Sequence, residues 1–585
     1  MRILKVIPAI VILLGSLAGL GKAFACEPND RGQYDSQLVF DPTAYTTVTV
    51  TVDGASITLR QWEVTYVAKP QEMSLTQLQS GPPGTATTTV TITDPYQYEK
   101  MYISVPQASF NSKTAPIFLM VGNEGWRYSA VSTSITSGAS FTSTSNTDVY
   151  GAALNAGYVV VEAANRGRGL IAADGTWTGK SPDAIVDTKA AIRYLRLNDG
   201  LIPGSADRIV IHGGSGGGGL DVQIGASGDN DDYCSYLDEV GAAGVIATGH
   251  SCRSTIKDDV YAVVAYCPIN NLPNHDKGYE WQYNPIRALT GYTGNPATGS
   301  LDGIAYTDAN SKQPAASAAI SAQFGPYLER QHIRLPNGKF LSTDNMTDEI
   351  VAQLKAETER QIAAGTTIPA LGGDFSIASA GPPGMGGGGT MSIPNEWLDV
   401  EDGVVKNINY TNFTLFQATA SQLKTVVAFD GCGVTDEAPI DSSCGVESSL
   451  FGSKYQTYSN FTEWSWNNND DSTDGVGYDN TGLKWHEWLK SPLSGDLAKQ
   501  IKLVNPVEYL TSQTDGVAPY WYIRHGMLDR DGATAMQVLL YYAVKDNRAV
   551  KNVNFKVPWM QPHGGDYDVQ EAFTWIKSVL AANGR

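Results

Sequence analysis

Six short apolar runs punctuate the chain: IFLMV (117–121), YVVVEAA (158–164), RIVIHGG (208–214), YAVVAYC (261–267), YWYIRHG (520–526) and NFKVPWM (554–560). Each gives way to a polar or glycine-rich turn, and helix-like stretches lie between them. Strands covered on both faces read as continuous apolar runs instead of alternating ones, so this pattern specifies a parallel sheet with crossover helices, an α/β core. SPDAIVDTKAAIRYLRLND (181–199) is the clearest helix, with apolar positions three and four residues apart. Ahead of the core, residues 26–115 form a β-rich N-terminal portion: YTTVTVTVDGASITLRQWEVTYVA (45–68) alternates in period two and breaks at Asp53-Gly54, a hairpin signal. TTTVTIT (87–93) and KMYISVP (100–106) continue the pattern.

The spacing of the runs also divides the chain. Between about 285 and 500 lies a stretch far too long for one strand-to-strand connection, with its own helix candidate, TDEIVAQLKAETERQIAAG (347–365), and a low-complexity break, AGPPGMGGGGT (380–390). KLVNPVEYL (502–510) marks the return. The expected organisation is a core of 26–284 and 501–585 with residues 285–500 inserted as a large lid domain. NNNDDSTDGVGYDNTG (467–482) has the look of a calcium loop but lacks the glutamate at its twelfth position, so it reads as a solvated surface loop. With 585 residues, 42% of them hydrophobic, the chain has ample material for a core. Its net charge of -19 argues against nucleic acid and anionic membranes as partners, because phosphate-rich surfaces require a basic footprint.

The N-terminus carries Arg2 and Lys5, an apolar stretch from Val6 to Leu20, and Ala23-Phe24-Ala25. This is the layout of a secretory signal peptide, residues 1–25, cleaved after Ala25. The apolar stretch is shorter than the roughly 20 residues of a spanning helix, so no stable membrane insertion is expected and the protein reads as secreted or periplasmic. Six cysteines in an exported chain favour disulfides. Proximity pairs Cys432 with Cys444 and Cys234 with Cys252, leaving Cys26 and Cys267 as the remainder. No Cys/His spacing points to a metal.

RIVIHGGSGGGGLDVQIGAS (208–227) places Ser215 in a Gly-x-Ser-x-Gly pattern between a strand and a helix-like run. A tight strand-to-helix turn needs glycine two residues either side of the serine and lifts its hydroxyl above the sheet. A phosphate loop would close on Lys-Ser or Lys-Thr, which is absent. Serine is a weak nucleophile until a base takes its proton, and an acid must orient that base. His563 in PWMQPHGGDYD follows the last strand and is the leading base; His212 is a strand residue beneath the turn, and His525 supports the acid loop. His250, His275, His332 and His486 have no comparable context. Asp529 and Asp531 both stand after YWYIRHG, and their spacing alone leaves the choice of triad acid open. The oxyanion donors are the N–H after the serine, Gly216, and one from the turn in IFLMVGNEGWRY, Gly125 or a neighbour.

AIVDTKAAIRYLRLND (184–199), AYCPINNLPNHDKGYEWQYN (265–284), IRHGMLDRD (523–531) and PHGGDYD (562–568) together resemble the bacterial tannases, over roughly residues 95 to 580. The resemblance implies an α/β-hydrolase fold and a serine esterase that splits galloyl esters and depsides, with a small-molecule galloyl ester as partner and no metal or cofactor. It matches Ser215 to the nucleophile, Asp529 to the triad acid, His563 to the base and Asp531 to a residue that binds the ring hydroxyls, which settles the choice between the two acids. LKTVVAFD (423–430) and GVESSLFG (445–452) align with the family's lysine- and glutamate-bearing segments, so Lys424 and Glu447 complete the hydroxyl-binding set. Two carboxylates and an ammonium suit three adjacent phenolic hydroxyls, since an analogue lacking one would leave a buried charge unpaired. The chain departs from the pattern in a longer interval between Lys424 and Glu447, in extra glycine around the serine and in its β-rich start. A feruloyl or other phenolic-acid esterase is the neighbouring reading, and a serine peptidase uses the same triad.

Overall fold

The computed structural model describes residues 31–79, 88–249, 251–289, 313–378, 389–421, 423–424, 426–430, 446–468 and 481–582. The signal segment 1–25, Cys26, Cys432, Cys444, His250, the 380–388 break and most of the 467–482 loop lie outside them.

At its centre is a ten-stranded sheet. In chain order the strands are β1 (Thr46–Val52), β2 (Ala55–Thr65), β3 (Lys100–Pro106), β4 (Pro116–Val121), β5 (Ser140–Phe141), β6 (Val159–Ala163), β7 (Ser205–Gly214), β8 (Ala262–Tyr266), β9 (Tyr520–Arg524) and β10 (Asn552–Lys556). Across the sheet they run β10-β9-β8-β7-β4-β6-β3-β2-β1-β5. All six apolar runs enter this sheet as six contiguous strands in the spatial order β6-β4-β7-β8-β9-β10, parallel throughout. Every residue of β6, β8 and β9 is buried, as two-sided cover requires. The last run is shifted. Its strand occupies 552–556 and stops short of Pro558, which has no N–H to continue a ladder.

The β-rich N-terminal portion extends this same sheet. β1 and β2 pair antiparallel around Asp53-Gly54, both at positive φ (51° and 81°), and β2 and β3 carry the antiparallel half onto β6. TTTVTIT contributes only Thr88–Thr91, paired with Thr76–Gln79 outside the main sheet.

The longer helices among the described residues are α1 (Asp183–Leu197), α2 (Gly216–Ala226), α3 (Leu272–Leu289), α4 (Thr343–Ala363), α5 (Tyr410–Ala420), α6 (Thr534–Asp546) and α7 (Val569–Ala582). α1, expected to be amphipathic, is buried nearly all round; its charged residues survive burial because each is paired, Asp187 with Arg166, and Lys189 and Arg193 with Asp258. Between β8 and β9 the chain builds α3 to α5 and two hairpins, 374–394 and 398–408. α3 packs against both α6 and α5 and so ties this long excursion to the sheet. It runs through position 285, with Pro285 inside it. Cys234 and Cys252 are joined as expected, their Cα atoms 5.8 Å apart. Among the described residues no helix is long and apolar enough to cross a membrane.

Candidate active site

Ser215 stands between the end of β7 and the start of α2 with φ 55° and ψ -122°, a backbone state that costs an L-residue about 1–3 kcal/mol and needs its surroundings to hold it. Those surroundings are backbone. Ser215 N–H donates to Tyr266 O (2.9 Å), and its own carbonyl accepts from Gly219 N and Ile269 N. The glycines are steric conditions for this packing. A Cβ at Gly213 would lie 2.9 Å from Asp221 Oδ2 and from the Gly217 carbonyl carbon, as the turn geometry demands. The surplus glycines are tighter still: a Cβ at Gly216 would sit 2.3 Å from Asn123 O and Trp126 N, and one at Gly219 would sit 2.0 Å from Ile269 O. They let the loops after β4 and β8 close directly onto the serine turn.

Gly125 lies on the first of those loops at φ 57°. The Gly125 and Gly216 N–H groups have no acceptor among the described residues, and the two backbones adjoin, with Gly125 N 2.9 Å from the place of a Gly216 Cβ.

His563 Nε2 is 2.8 Å from Ser215 Oγ, and its Nδ1 is 3.0 Å from each oxygen of Asp529. Asp529 is fully buried and also accepts from Asp531 N–H (2.8 Å) and Gly532 N–H (3.3 Å). His525, assigned to the acid loop from sequence, places Nδ1 3.2 Å from Asp529 Oδ2. Burial alone would raise the Asp529 carboxyl, but the adjoining imidazoles, His563 and then His525, hold it well below the usual carboxylate range. Burial works equally against a charged His563, and there Asp529, followed by Asp531, prevails and lifts the imidazole well above its ordinary value.

The loop carrying His563 is fixed by residues that sequence reasoning passed over. Asp566 Oδ1 accepts from His212 Nε2–H at 2.8 Å beneath the serine turn, and Asp568 accepts from Tyr266 OH, Tyr522 OH and Arg524 Nε. The signal was present in HGGDYD, where two acids follow the base at spacings of three and five. Gly526 lets the acid loop meet the base loop; a Cβ there would lie 2.4 Å from the carbonyl oxygens of Gln561 and Pro562.

Cys267 corrects an expectation. It is a free, buried thiol whose sulfur accepts from Gly526 N–H at 3.5 Å, and burial pushes the thiol up. The pairing left over for it from the sequence is not made, and the other member of that pairing, Cys26, lies outside the described residues. Cys267, Asp529 and His563 are also the one group of three potential metal ligands among the described residues, their donor atoms within 4.8 Å. Both nitrogens of His563 are already engaged in the hydrogen bonds above.

Lys424 and Asp531 come together, Nζ to Oδ1 3.6 Å, with Lys424 also 4.7 Å over the Phe429 ring. Tyr279 of α3 makes the meeting possible, since its hydroxyl donates to Arg530 O (2.8 Å) and accepts from Lys424 N–H (3.0 Å). Asp276, on the same helix, accepts from Phe429 N–H and Asp430 N–H; burial pushes its carboxyl up to about 8. Glu447 is buried (3% exposed) on a short helix, Val446–Leu450, which packs against the Gly125 turn, and its Oε2 has no hydrogen-bond partner. No hydrogen bond or ion pair joins Glu447 to Lys424 or Asp531 among the described residues. Its charge bears on buried Arg168, whose Nε donates to Gly125 O.

The domain family described as BD-FAE matches residues 111–316, the stretch from β4 through the serine turn into α3 and beyond. No curated protein matches the sequence. Among solved structures, the tannase of Fusobacterium nucleatum is 27% identical, covers 93% of this chain and 99% of its own, and superposes with a TM-score of 0.67. The tannin acyl hydrolase of Lactobacillus plantarum is 26% identical with the same coverage and a TM-score of 0.66. A tannin acyl hydrolase solved in complex with ethyl gallate matches at 26% identity over the same share of both chains, TM-score 0.66. With this likeness along nearly its whole length, and a serine turn of the kind just described, the chain is an α/β-hydrolase similar to the tannases and a carboxylic ester hydrolase.

Proposed function

We propose that the protein is an exported tannase: it hydrolyses galloyl ester and depside bonds, releasing gallic acid and an alcohol. The observation that carries this reading is the unbroken hydrogen-bonded line Ser215 Oγ, His563, Asp529, with the Lys424–Asp531 pair beside its acid end. In the mechanism Ser215 Oγ attacks the ester carbonyl while its proton passes to His563 Nε2. Asp529 holds the imidazole through Nδ1 and stabilises the cation that forms. The Gly125 and Gly216 N–H groups receive the developing oxyanion, a donor pair whose loss typically costs about 3 kcal/mol per member. His563 then protonates the departing alcohol, and a water activated by the same imidazole releases the acid and restores Ser215.

Lys424, Glu447 and Asp531 recognise the three ring hydroxyls in this reading. The unpartnered Oε2 of buried Glu447 supports it, because a buried carboxylate oxygen without a donor is costly until a ligand supplies one. The reading extends to organisation and location: residues 285–500 act as the lid over a core of 26–284 and 501–585, and residues 1–25 direct export. The Cys234–Cys252 disulfide fits an oxidising compartment.

The test is side-by-side turnover of methyl gallate and methyl ferulate by the purified chain, with Ser215→Ala as control. Preferential release of gallate, abolished in the variant, is expected. Faster ferulate turnover would replace the tannase reading with a feruloyl esterase, and amide cleavage without gallate release would point to a peptidase.

A further inference from the structure

Lys180 lies just before α1, remote in sequence from every residue of the proposed site, and its ammonium is buried (7% exposed). It has no carboxylate within ion-pair distance among the described residues; Asp183 acts on it only from further away. Its Nζ instead donates to three backbone carbonyls, Ser449 O, Phe451 O and Thr457 O, each at 2.9 Å. Burying an ammonium against neutral acceptors alone is unfavourable, and here burial pushes Lys180 down to about 7. A group held at that cost is best understood by what it organises.

What it organises is the turn that carries Glu447. The three carbonyls belong to the end of the 446–450 helix and the loop that returns beneath it, and they converge on one atom. Adjacent backbone completes the clamp: Ser181 N–H donates to Leu450 O (2.7 Å), Trp177 N–H to Lys454 O (2.8 Å), and Ser181 Oγ to Gln500 O (2.7 Å). A neutral side chain of similar length would withdraw the ammonium on which these buried carbonyls converge, and the turn would lose its hold against the Gly125 loop on which it packs.

We infer that Lys180 is a positioning residue for substrate recognition: its ammonium, caged by the carbonyls of Ser449, Phe451 and Thr457, sets the placement of Glu447 against the acyl ring. The inference rests on the proposed role of Glu447 in binding ring hydroxyls. It assigns no proton transfer and no substrate contact to Lys180.

The experiment compares kcat and KM of the full chain for methyl gallate and for p-nitrophenyl acetate, which exercises the serine machinery without a hydroxylated ring. For Lys180→Met, kcat/KM for methyl gallate is expected to fall about tenfold or more, carried by KM, with p-nitrophenyl acetate changing less than about threefold. Lys180→Arg keeps the charge but presents a planar fork to three convergent acceptors, and is expected to give the same selective loss at smaller amplitude. Should Lys180→Met fail to fold, the Arg variant carries the comparison. Equal losses on both esters, or no loss on gallate, overturn the inference. Glu447→Gln is run beside them: if it leaves the gallate-to-acetate ratio intact, the reading of Glu447 fails; if it collapses the ratio while both Lys180 variants do not, only the inference about Lys180 fails.

Discussion

The turn bearing Ser215 and the segments bearing Lys424 and Glu447 are held in place by different means. The first is local and steric: seven consecutive residues, 213–219, from the end of β7 into α2, glycines in all positions but one, pressed by neighbouring backbone to distances that admit no Cβ at 216 or 219. The second is long-range and polar. Lys424 is oriented through Tyr279 of α3, and the Glu447 turn through Lys180. Under the proposed roles, the contrast teaches that bond-breaking chemistry is secured by shape, whereas acyl choice is secured by a few buried hydrogen bonds between segments more than a hundred residues apart.

The sharpest break is Ser215→Ala. It removes the nucleophile for every ester, so turnover of both methyl gallate and p-nitrophenyl acetate is expected to drop by about a thousandfold or more, read as kcat at saturating substrate. Gly219→Ala attacks the same region through shape. A methyl group 2.0 Å from Ile269 O forces the loop after β8 away, at a cost of about 1–3 kcal/mol, visible as a lowered Tm with both esters affected alike. Lys424→Met probes the polar region. Turnover of methyl gallate is expected to fall about ten- to a hundredfold while p-nitrophenyl acetate turnover persists, and parallel losses would erase the distinction between the two regions.

The smallest effect joins them. As the proposed base, His563 acts only when neutral, and its imidazole is held well above its ordinary value by Asp529 and then Asp531. The acid limb of kcat/KM is therefore expected to have its midpoint above the usual imidazole range, with activity rising as pH rises through it. Asp531→Asn deletes one of those two negative charges and moves that midpoint down, whereas Glu447→Gln, whose charge does not figure among the causes, leaves it in place.

Legibility followed the same division. The parallel sheet could be read because two-sided burial writes itself as VVVEA and AVVAY, and the serine turn because its glycines are contiguous with the residue they serve. The hairpin at Asp53-Gly54 was legible for a similar reason: the dipeptide has the positive φ values that the turn needs. Pairings decided by distant segments were not. Cys267 looks like a disulfide partner by count and is a thiol packed under His563. Nothing in the run TGKSP (178–182) indicates that its lysine will cap three carbonyls some 270 residues later, because a local pattern holds no information about which distant backbone arrives. Lys424 and Glu447 were found through family likeness alone, and the same likeness assigned Asp531 its role; the structure brings only Lys424 and Asp531 into direct contact.

Asp531 N–H donates to Asp529 Oδ1, and Tyr279 grips the intervening Arg530 carbonyl while it also grips Lys424. Under the proposed roles, the acid that orients the base and the acid that senses the ring share one short stretch of chain. An engineer seeking a new acyl preference would therefore find position 531 unforgiving, because each change there retunes the proton relay as well. The Glu447 turn is moored separately from that stretch, so selectivity can drift there without touching the proton relay.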